Sequence, residues 1–266
     1  MSLRGVAVRV ALVTGAARGI GAATVRALCV LDYRVVAVDS CDGAADLPYA
    51  LASRADLEAV AAAHPGQVLP VVADVRDRNA LATAAAAAVE RFGRLDAAVA
   101  AAAVIAGGQS QWETPDEQLL LLLDVDLVGV WNTASVTVPH MLAGPDPSRC
   151  RFVAVASAAG ERGLFGLTAY NMAKHGVVGL VRGLAEDLVG TGVTAVAVAP
   201  GSTRTDMLAA TARLYQLDSV EAFAKSALIH RLLEPDEVAA TIAFCCSVEA
   251  AALNGSVVRA DGGFSG

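Results

Sequence analysis

Apolar residues in this chain fall into two alternating patterns. Short, nearly unbroken runs rich in β-branched residues are separated by longer stretches in which apolar positions return every three or four residues. The first run, "RVALVTG", is followed by a helical stretch from Gly19 to Asp32 and then by "RVVAVDS", which together read as one strand-helix-strand unit. The alternation continues with a helix near Arg54 to Ala63, a strand "VLPVVADV", an alanine-rich helix from Arg78 to Phe92 and a strand "LDAAVAAA". A long helix from about Asp116 to Leu142, the strand "RFVAVAS", a helix from Ala169 to Val189 and the strand "VTAVAVAP" follow. After Pro200 the periodicity weakens; "EPDEVAATIAFCCSV" then predicts one more helix and "GSVVRADGG" a seventh strand. Strands that are apolar throughout have both faces covered by helices, as in a parallel sheet.

Right-handed crossovers between sequential parallel strands dictate an α/β fold, a doubly wound parallel seven-stranded sheet flanked by helices, whose ligands sit beyond the carboxyl ends of the strands. Residues 1–266 read as a single domain, with "AAAHPG" and "AGPDPS" as ordinary surface connections.

Composition narrows the partners. The chain is 55 % hydrophobic and 18 % charged with a formal net charge of −7, which argues against disorder and against nucleic acid. Five cysteines, Cys29, Cys41, Cys150, Cys245 and Cys246, form no ligand spacing and fit a reduced cytosol; Cys245 and Cys246 in their apolar run read as core. The scattered His64, His140, His175 and His230 predict no metal. The opening "MSLRGVAVRVALVTG" runs through two arginines into a strand without a cleavage pattern, and no stretch reads as a membrane span. A cytoplasmic location is therefore expected.

Candidate chemistry begins with "TGAARGIG", Thr14 to Gly21, between the first strand and the first helix. Gly15, Gly19 and Gly21 allow a tight turn and a close backbone approach to a pyrophosphate at the helix N-terminus. Asp39 ends the second strand 18 residues after Gly21, where a carboxylate accepts both adenosine ribose hydroxyls. The same charge repels a 2′-phosphate, so NAD is expected over NADP; Arg18, facing either a 2′-phosphate or solvent, is the counter-argument. Asp74, ending the third strand, is placed to meet adenine.

In "AYNMAKHG", Tyr170 and Lys174 are four residues apart and share a helical face. Alone, that spacing describes many surface pairs. Combined with the rest, the sequence resembles the short-chain dehydrogenase/reductase family over its whole length. "TGAARGIG" is similar to that family's cofactor loop, "VASAAG" to its serine strand end, "YNMAK" to its YxxxK motif and "APGSTRT" to its loop after the sixth strand. Ser157 precedes Tyr170 by 13 residues, the usual spacing there, and "RLLEPDEVA" with "ADGGF" resembles the C-terminal signature.

The resemblance implies a Rossmann-like fold that interconverts a secondary alcohol and a ketone. Tyr170 would be the acid/base, Ser157 the holder of the substrate oxygen and Lys174 the stabiliser of the phenolate. Free tyrosine, with a pKa of about 10, is a poor base at neutral pH, so Lys174 and the positive nicotinamide are expected to lower it. Cofactor contacts are implied for Thr14, Gly15, Arg18, Gly19, Ile20 and Gly21 in the loop and for Asp39, Asp74 and Val75 beyond the next two strands. Ala101, Ala102, Tyr170, Lys174, Pro200, Gly201, Thr203 and Thr205 complete that set. "ALVTGAARGIGAATVRAL", "LDAAVAAAAVIAGG" and "LVRGLAEDLVGTGVTAVAVAPGST" are similar to the mycofactocin-associated subgroup, which implies a nicotinamide that stays bound and is reoxidised by a peptide-derived carrier, mycofactocin. A homotetramer built on the long fourth and fifth helices is implied as well.

Two positions depart from the family pattern. Asp126 in "DVDLVGVW" stands where an asparagine is usual, and Ala101-Ala102-Ala103 where "NAG" is usual. Asp126 could pair with Lys174 and weaken its hold on the phenolate, or stay protonated and imitate the amide. The triple alanine removes a polar anchor beside the cofactor. Residues 203–233 are expected to form a lid, with Met207, Leu208, Leu214, Tyr215, Leu217 and Phe223 either lining an apolar pocket or serving as core. These departures also motivate two competing readings: a cofactor-binding scaffold without turnover, and an NAD-using epimerase or dehydratase.

Overall fold

The computed structural model describes residues 8–41, 47 and 49–265. Seven strands form one parallel sheet: β1 (Val10–Thr14), β2 (Arg34–Asp39), β3 (Val68–Val72), β4 (Ala97–Ala100), β5 (Arg151–Val155), β6 (Thr194–Pro200) and β7 (Val257–Ala260). Their order across the sheet is β3-β2-β1-β4-β5-β6-β7. The order reverses between β1 and β4, and there the crevice for a ligand opens.

Alternate residues of each central strand enter different cores. In β1, Val10 and Leu12 pack with α3 (Arg78–Phe92), α5 (Gly129–Leu142) and α6 (Thr168–Asp187). Ala11 and Val13 pack on the opposite face with α1 (Gly19–Val30), α2 (Arg54–Ala62) and α8 (Pro235–Cys245). This double burial is why the strands read as continuous apolar runs. The edges differ: Val72 of β3 is exposed, and β3 tolerates Pro70 because an edge strand has a side without ladder hydrogen bonds. Cys245 and Cys246 are fully buried beneath the sheet, as their apolar surroundings suggested.

The expected long helix from Asp116 to Leu142 is interrupted. It consists of α4 (Asp116–Leu123), a π-helical turn (Asp124–Val128) and α5. The wide turn lies where Asp126 accepts a hydrogen bond from the Val104 amide, 2.8 Å away, and such bulges tend to sit at functional positions. Taken together, this run is long and apolar enough to cross a membrane, which the sequence reading overlooked; half of its most apolar window is buried inside the domain. Between β6 and α8, a seventh helix, α7 (Asp206–Leu214), and a 3-10 segment (Val220–Ser226) fold over the end of the sheet.

Candidate active site

A cleft of about 740 Å³ lies along the carboxyl ends of the strands. Its floor at β1 is the glycine loop. Gly15 has φ 66°, and a Cβ there would stand 2.7 Å from the Ala102 backbone. At Gly21, a Cβ would stand 1.9 Å from the Gly15 carbonyl oxygen, so only glycine lets α1 begin this close to the turn. The N-cap residue of α1, Arg18, makes no side-chain cap, which leaves the first amides of the helix available to an anion. Asp39 lines the same cleft, accepting from the Ala17 amide at 3.0 Å and the Cys41 amide at 3.3 Å. A carboxylate offers about four acceptor sites, so it retains capacity for ribose hydroxyls. Uncapped helix amides, close-packed glycines and a strand-end carboxylate together fit a dinucleotide.

Most of the residues expected to contact the cofactor line this cleft: Gly15, Arg18, Gly19, Ile20, Gly21, Asp39, Asp74, Val75, Ala101, Ala102, Pro200, Gly201, Thr203 and Thr205. Thr14 does not. It is buried, and its hydroxyl accepts from the Ala101 and Ala102 amides at 3.1 and 3.3 Å, so it acts one layer behind the wall by fixing the alanine segment. Arg18 is neither free nor simply solvated: it donates to the Ala50 carbonyl at 2.7 Å and pairs with Asp206 at 3.2 Å. Asp74 is clamped by Arg76 at 2.6 Å; burial opposes its ionisation, but the Arg76 hydrogen bonds outweigh that and hold its pKa below the usual range.

Ser157, Tyr170 and Lys174 converge on the same cleft. Ser157 follows β5 and caps a short 3-10 turn, accepting from the Ala159 amide at 3.1 Å. That turn packs tightly on α6, since a Cβ on Gly160 would meet the Lys174 carbonyl oxygen at 2.8 Å. Tyr170 and Lys174 are both buried on one face of α6, with Nζ 5.6 Å from the phenol ring centroid. Nζ donates to the Val155 carbonyl at 3.2 Å and lies 3.6 Å from Asp126 Oδ2.

The expected lowering of the Tyr170 pKa is not what the protein's own groups produce. Burial, reinforced by the negative charge of Asp126, pushes the phenol above its ordinary range, and a hydrogen bond with Ser157 offsets only part of this. Asp126 counters the lysine's charge. Its own pKa is pushed up to about 6 by burial, against the pull of Lys174 and the Val104 amide. Asp126 is fully buried and outside the cleft wall; it acts on the site through its charge on Tyr170, its hold on the Val104 amide and its position facing Lys174.

Met207, Leu208, Leu214, Tyr215, Leu217 and Phe223 all line the cleft, and Met207, Leu214 and Tyr215 pack against the core as well. Tyr215 donates to the Phe165 carbonyl at 2.6 Å, and Gly108 donates to Gly166 at 2.8 Å, drawing the loops after β4 and β5 toward the lid. Sequence reasoning missed Tyr49 and Leu51. Tyr49 accepts from the Ile105 amide at 2.9 Å and Leu51 lines the cleft, so segment 49–52 bridges the glycine loop, through Arg18, to the loop after β4. The segment has no periodicity, and a lone aromatic among small residues was its only signal. Among the described residues, no three His, Cys, Asp or Glu side chains gather where they could hold a metal ion.

The family model described as enoyl-(acyl carrier protein) reductase matches residues 15–265. The chain belongs to the short-chain dehydrogenase/reductase family. It is 32 % identical to (-)-trans-carveol dehydrogenase of Rhodococcus erythropolis, covering 96 % of each chain. It is 34 % identical to cis-4-hydroxycyclohexanecarboxylate dehydrogenase of Sinomonas cyclohexanicum, covering 97 % of this chain and 96 % of the relative. Carveol dehydrogenase from Mycobacterium avium in complex with NAD superimposes with a TM-score of 0.89 at 28 % identity, over 97 % of this chain and 98 % of that one. As a member of this family, the protein is an NAD(P)-dependent oxidoreductase acting on CH–OH groups.

Proposed function

We propose that this dehydrogenase interconverts neutral, largely apolar secondary alcohols and their ketones, using NAD and Tyr170 as the acid/base. The observation that carries this reading is the convergence of Ser157, Tyr170 and Lys174 on a cleft whose one half is a dinucleotide cradle and whose other half is an apolar lid. Ser157 holds the substrate oxygen, and Tyr170 takes the hydroxyl proton on oxidation or returns it on reduction. The nicotinamide, when bound, supplies the hydride acceptor, and its positive charge favours the phenolate that burial and Asp126 disfavour. Lys174, held by Val155, keeps a cation beside Tyr170. From Met207 to Phe223 the lid residues lining the cleft are uncharged, which suits a neutral ring such as that named for the carveol relatives better than a carboxylate.

NAD is favoured over NADP because Asp39 would repel a 2′-phosphate while Arg18 is already engaged by Ala50 and Asp206. Retention of the cofactor, with reoxidation by mycofactocin, is supported by segment 49–52, which is tied to both walls of the cleft. A homotetramer is supported by the exposed apolar residues Leu120, Val128, Trp131 and Met172 on α4 to α6, and a cytoplasmic location remains part of this reading on the reduced cysteines. A scaffold without turnover is disfavoured, because the complete serine, tyrosine and lysine set persists in the cleft.

The deciding experiment unfolds the protein, purified without added cofactor, and identifies any released nucleotide by mass. Stoichiometric NAD or NADH, with turnover of cyclic secondary alcohols only when an artificial electron acceptor is supplied, supports a retained cofactor. An empty protein that binds NADH reversibly and turns over with free NAD makes it an ordinary exchanging dehydrogenase. Nucleotide binding without turnover of any alcohol or ketone overturns the proposal.

A further inference from the structure

We propose that Asp126 is the internal proton acceptor of this site: its Oδ2 receives, through Lys174, the proton released when the alcohol is oxidised, and holds it while the cofactor is reduced. The inference rests on the hydride-transfer reading above and deepens it. Its basis is an orphaned atom. Asp126 is fully buried; Oδ1 is fixed by the Val104 amide at 2.8 Å, whereas Oδ2 has no hydrogen-bond partner and lies 3.6 Å from Lys174 Nζ. A buried ion pair that serves stability closes to hydrogen-bond distance and satisfies both oxygens. This one does neither. The bare oxygen is a vacant acceptor, held in orientation by its twin and faced by a group that carries protons.

Lys174 connects the two compartments. Its ammonium is in the cleft wall, donates to the Val155 carbonyl, and also faces Asp126, which is itself outside the cleft. Asp126 in turn acts by its charge on two phenols, Tyr170 from α6 and Tyr49 from the segment before α2. Burial pushes both phenols above their ordinary range. Asp124, in the same π-helical turn, is exposed. Lys174 is therefore the group through which Asp126 exchanges a proton with the cleft.

The step balances. On oxidation the alcohol O–H bond breaks and its proton passes to the Tyr170 phenolate oxygen, which returns to phenolate as it hands a proton on to Lys174. The C–H bond breaks with its electron pair accepted as hydride by the nicotinamide, and the C=O bond forms. Lys174 gives one proton to Asp126 Oδ2 and regains one from the Tyr170 side, so one carboxylate becomes one carboxyl. The positive charge lost from the ring is replaced by the retained proton, and the net charge of the dry interior is unchanged. With the ring neutral, nothing but Lys174 favours the ionised carboxylate, and burial drives Asp126 toward the acid form, in line with its raised pKa.

The test needs no knowledge of the substrate. Infrared difference spectra are recorded between the protein loaded with NADH and the protein loaded with NAD+ at neutral pH, with nucleotide fluorescence reporting occupancy. The expected result is a protonated-carboxyl C=O band in the NADH state that shifts in heavy water, is assigned to aspartate by carbon-13 labelling, and disappears in Asp126→Asn. The isotope assignment stands by itself if that variant does not fold. NADH binding without a carboxyl band, or a band that survives in a folded Asp126→Asn protein, overturns the proposal while leaving the dehydrogenase reading intact. Failure to bind either nucleotide overturns the cofactor reading and this proposal with it.

Discussion

Replacing Tyr49 by phenylalanine removes one oxygen and, with it, the acceptor for the Ile105 amide. That hydrogen bond is 2.9 Å long and Ile105 is 2 % exposed, so the amide left behind has no ready access to water. Leaving a buried donor unpaired costs about 1–3 kcal/mol. Segment 49–52 is tied to the glycine loop by the Arg18 to Ala50 hydrogen bond and to the loop after β4 by Tyr49, so a nucleotide leaving past it must break one of these ties. If the whole cost falls on the closed state, NADH dissociation accelerates by about 5- to 150-fold, since each tenfold corresponds to about 1.4 kcal/mol. The assay is displacement of bound NADH by excess NAD+, followed by fluorescence in stopped flow, beside a melting curve of nucleotide-free protein. Faster release together with a modest fall in Tm is expected. A lowered Tm with an unchanged dissociation rate refutes the reasoning, because the bond would then support the fold without gating the cofactor.

Tyr170→Phe should abolish turnover by several orders of magnitude while leaving the NADH affinity within a few-fold, which equilibrium fluorescence checks. Asp39→Ala should lose NAD affinity and gain NADP affinity, read as the ratio of the two dissociation constants, because the charge that repels a 2′-phosphate is gone. Gly21→Ala should prevent nucleotide binding or folding, since the added Cβ meets the Gly15 carbonyl at 1.9 Å and α1 must move away; calorimetry with NADH distinguishes the two. The stability difference between wild type and Asp126→Asn should depend on pH. The folded-state pKa of Asp126 is raised to about 6 from an ordinary 3.8, so the folded protein binds this proton more tightly than the unfolded chain. Wild type therefore loses stability relative to the variant as pH rises from about 4 to about 6, by about 3 kcal/mol from linkage, and the difference is level above that. Urea melts at several pH values measure it.

The seven strands and both helical layers were legible because the central strands are buried on both faces and their apolar runs have no interruptions, whereas the order of the strands across the sheet came from the structure. The same reasoning was less informative at the edges: Val72 is exposed although β3 reads as apolar as β2. The break in the long helix was invisible, since "LLLLLDVDLVGVW" keeps helical composition throughout. Only a tertiary contact, Asp126 to Val104, marks the wide turn. In the site, the spacing of Tyr170 and Lys174 placed both on one face of α6, but it took the family resemblance to read that pair as chemistry. Thr14 entered the cofactor set with the glycine loop that the family resemblance implies, whereas its hydroxyl accepts from the neighbouring loop at Ala101 and Ala102. Tyr49 was missed because its partner is 56 residues away and its own segment has no period.

The two departures from the family pattern become one structural feature once the hydrogen bonds are followed. Alanines at 101 to 103 offer no side chain to anchor the loop after β4, yet that loop is held through its amides at both ends. Thr14 accepts from Ala101 and Ala102, and Asp126 accepts from Val104. Asparagine at position 126 could accept from Val104 equally well, so holding the loop does not explain the acid. What the acid adds is the second oxygen, which is ionisable and faces Lys174. Burial makes that carboxylate expensive to keep charged, and Lys174 and the Val104 amide offset only part of the cost. A group that is costly as an anion and adjacent to a proton carrier changes its protonation when the charge around it changes. On the proposal made above, hydride transfer would change the charge near Asp126 by one unit, and the acid at this departure from the family pattern would take up a proton when the cofactor is reduced.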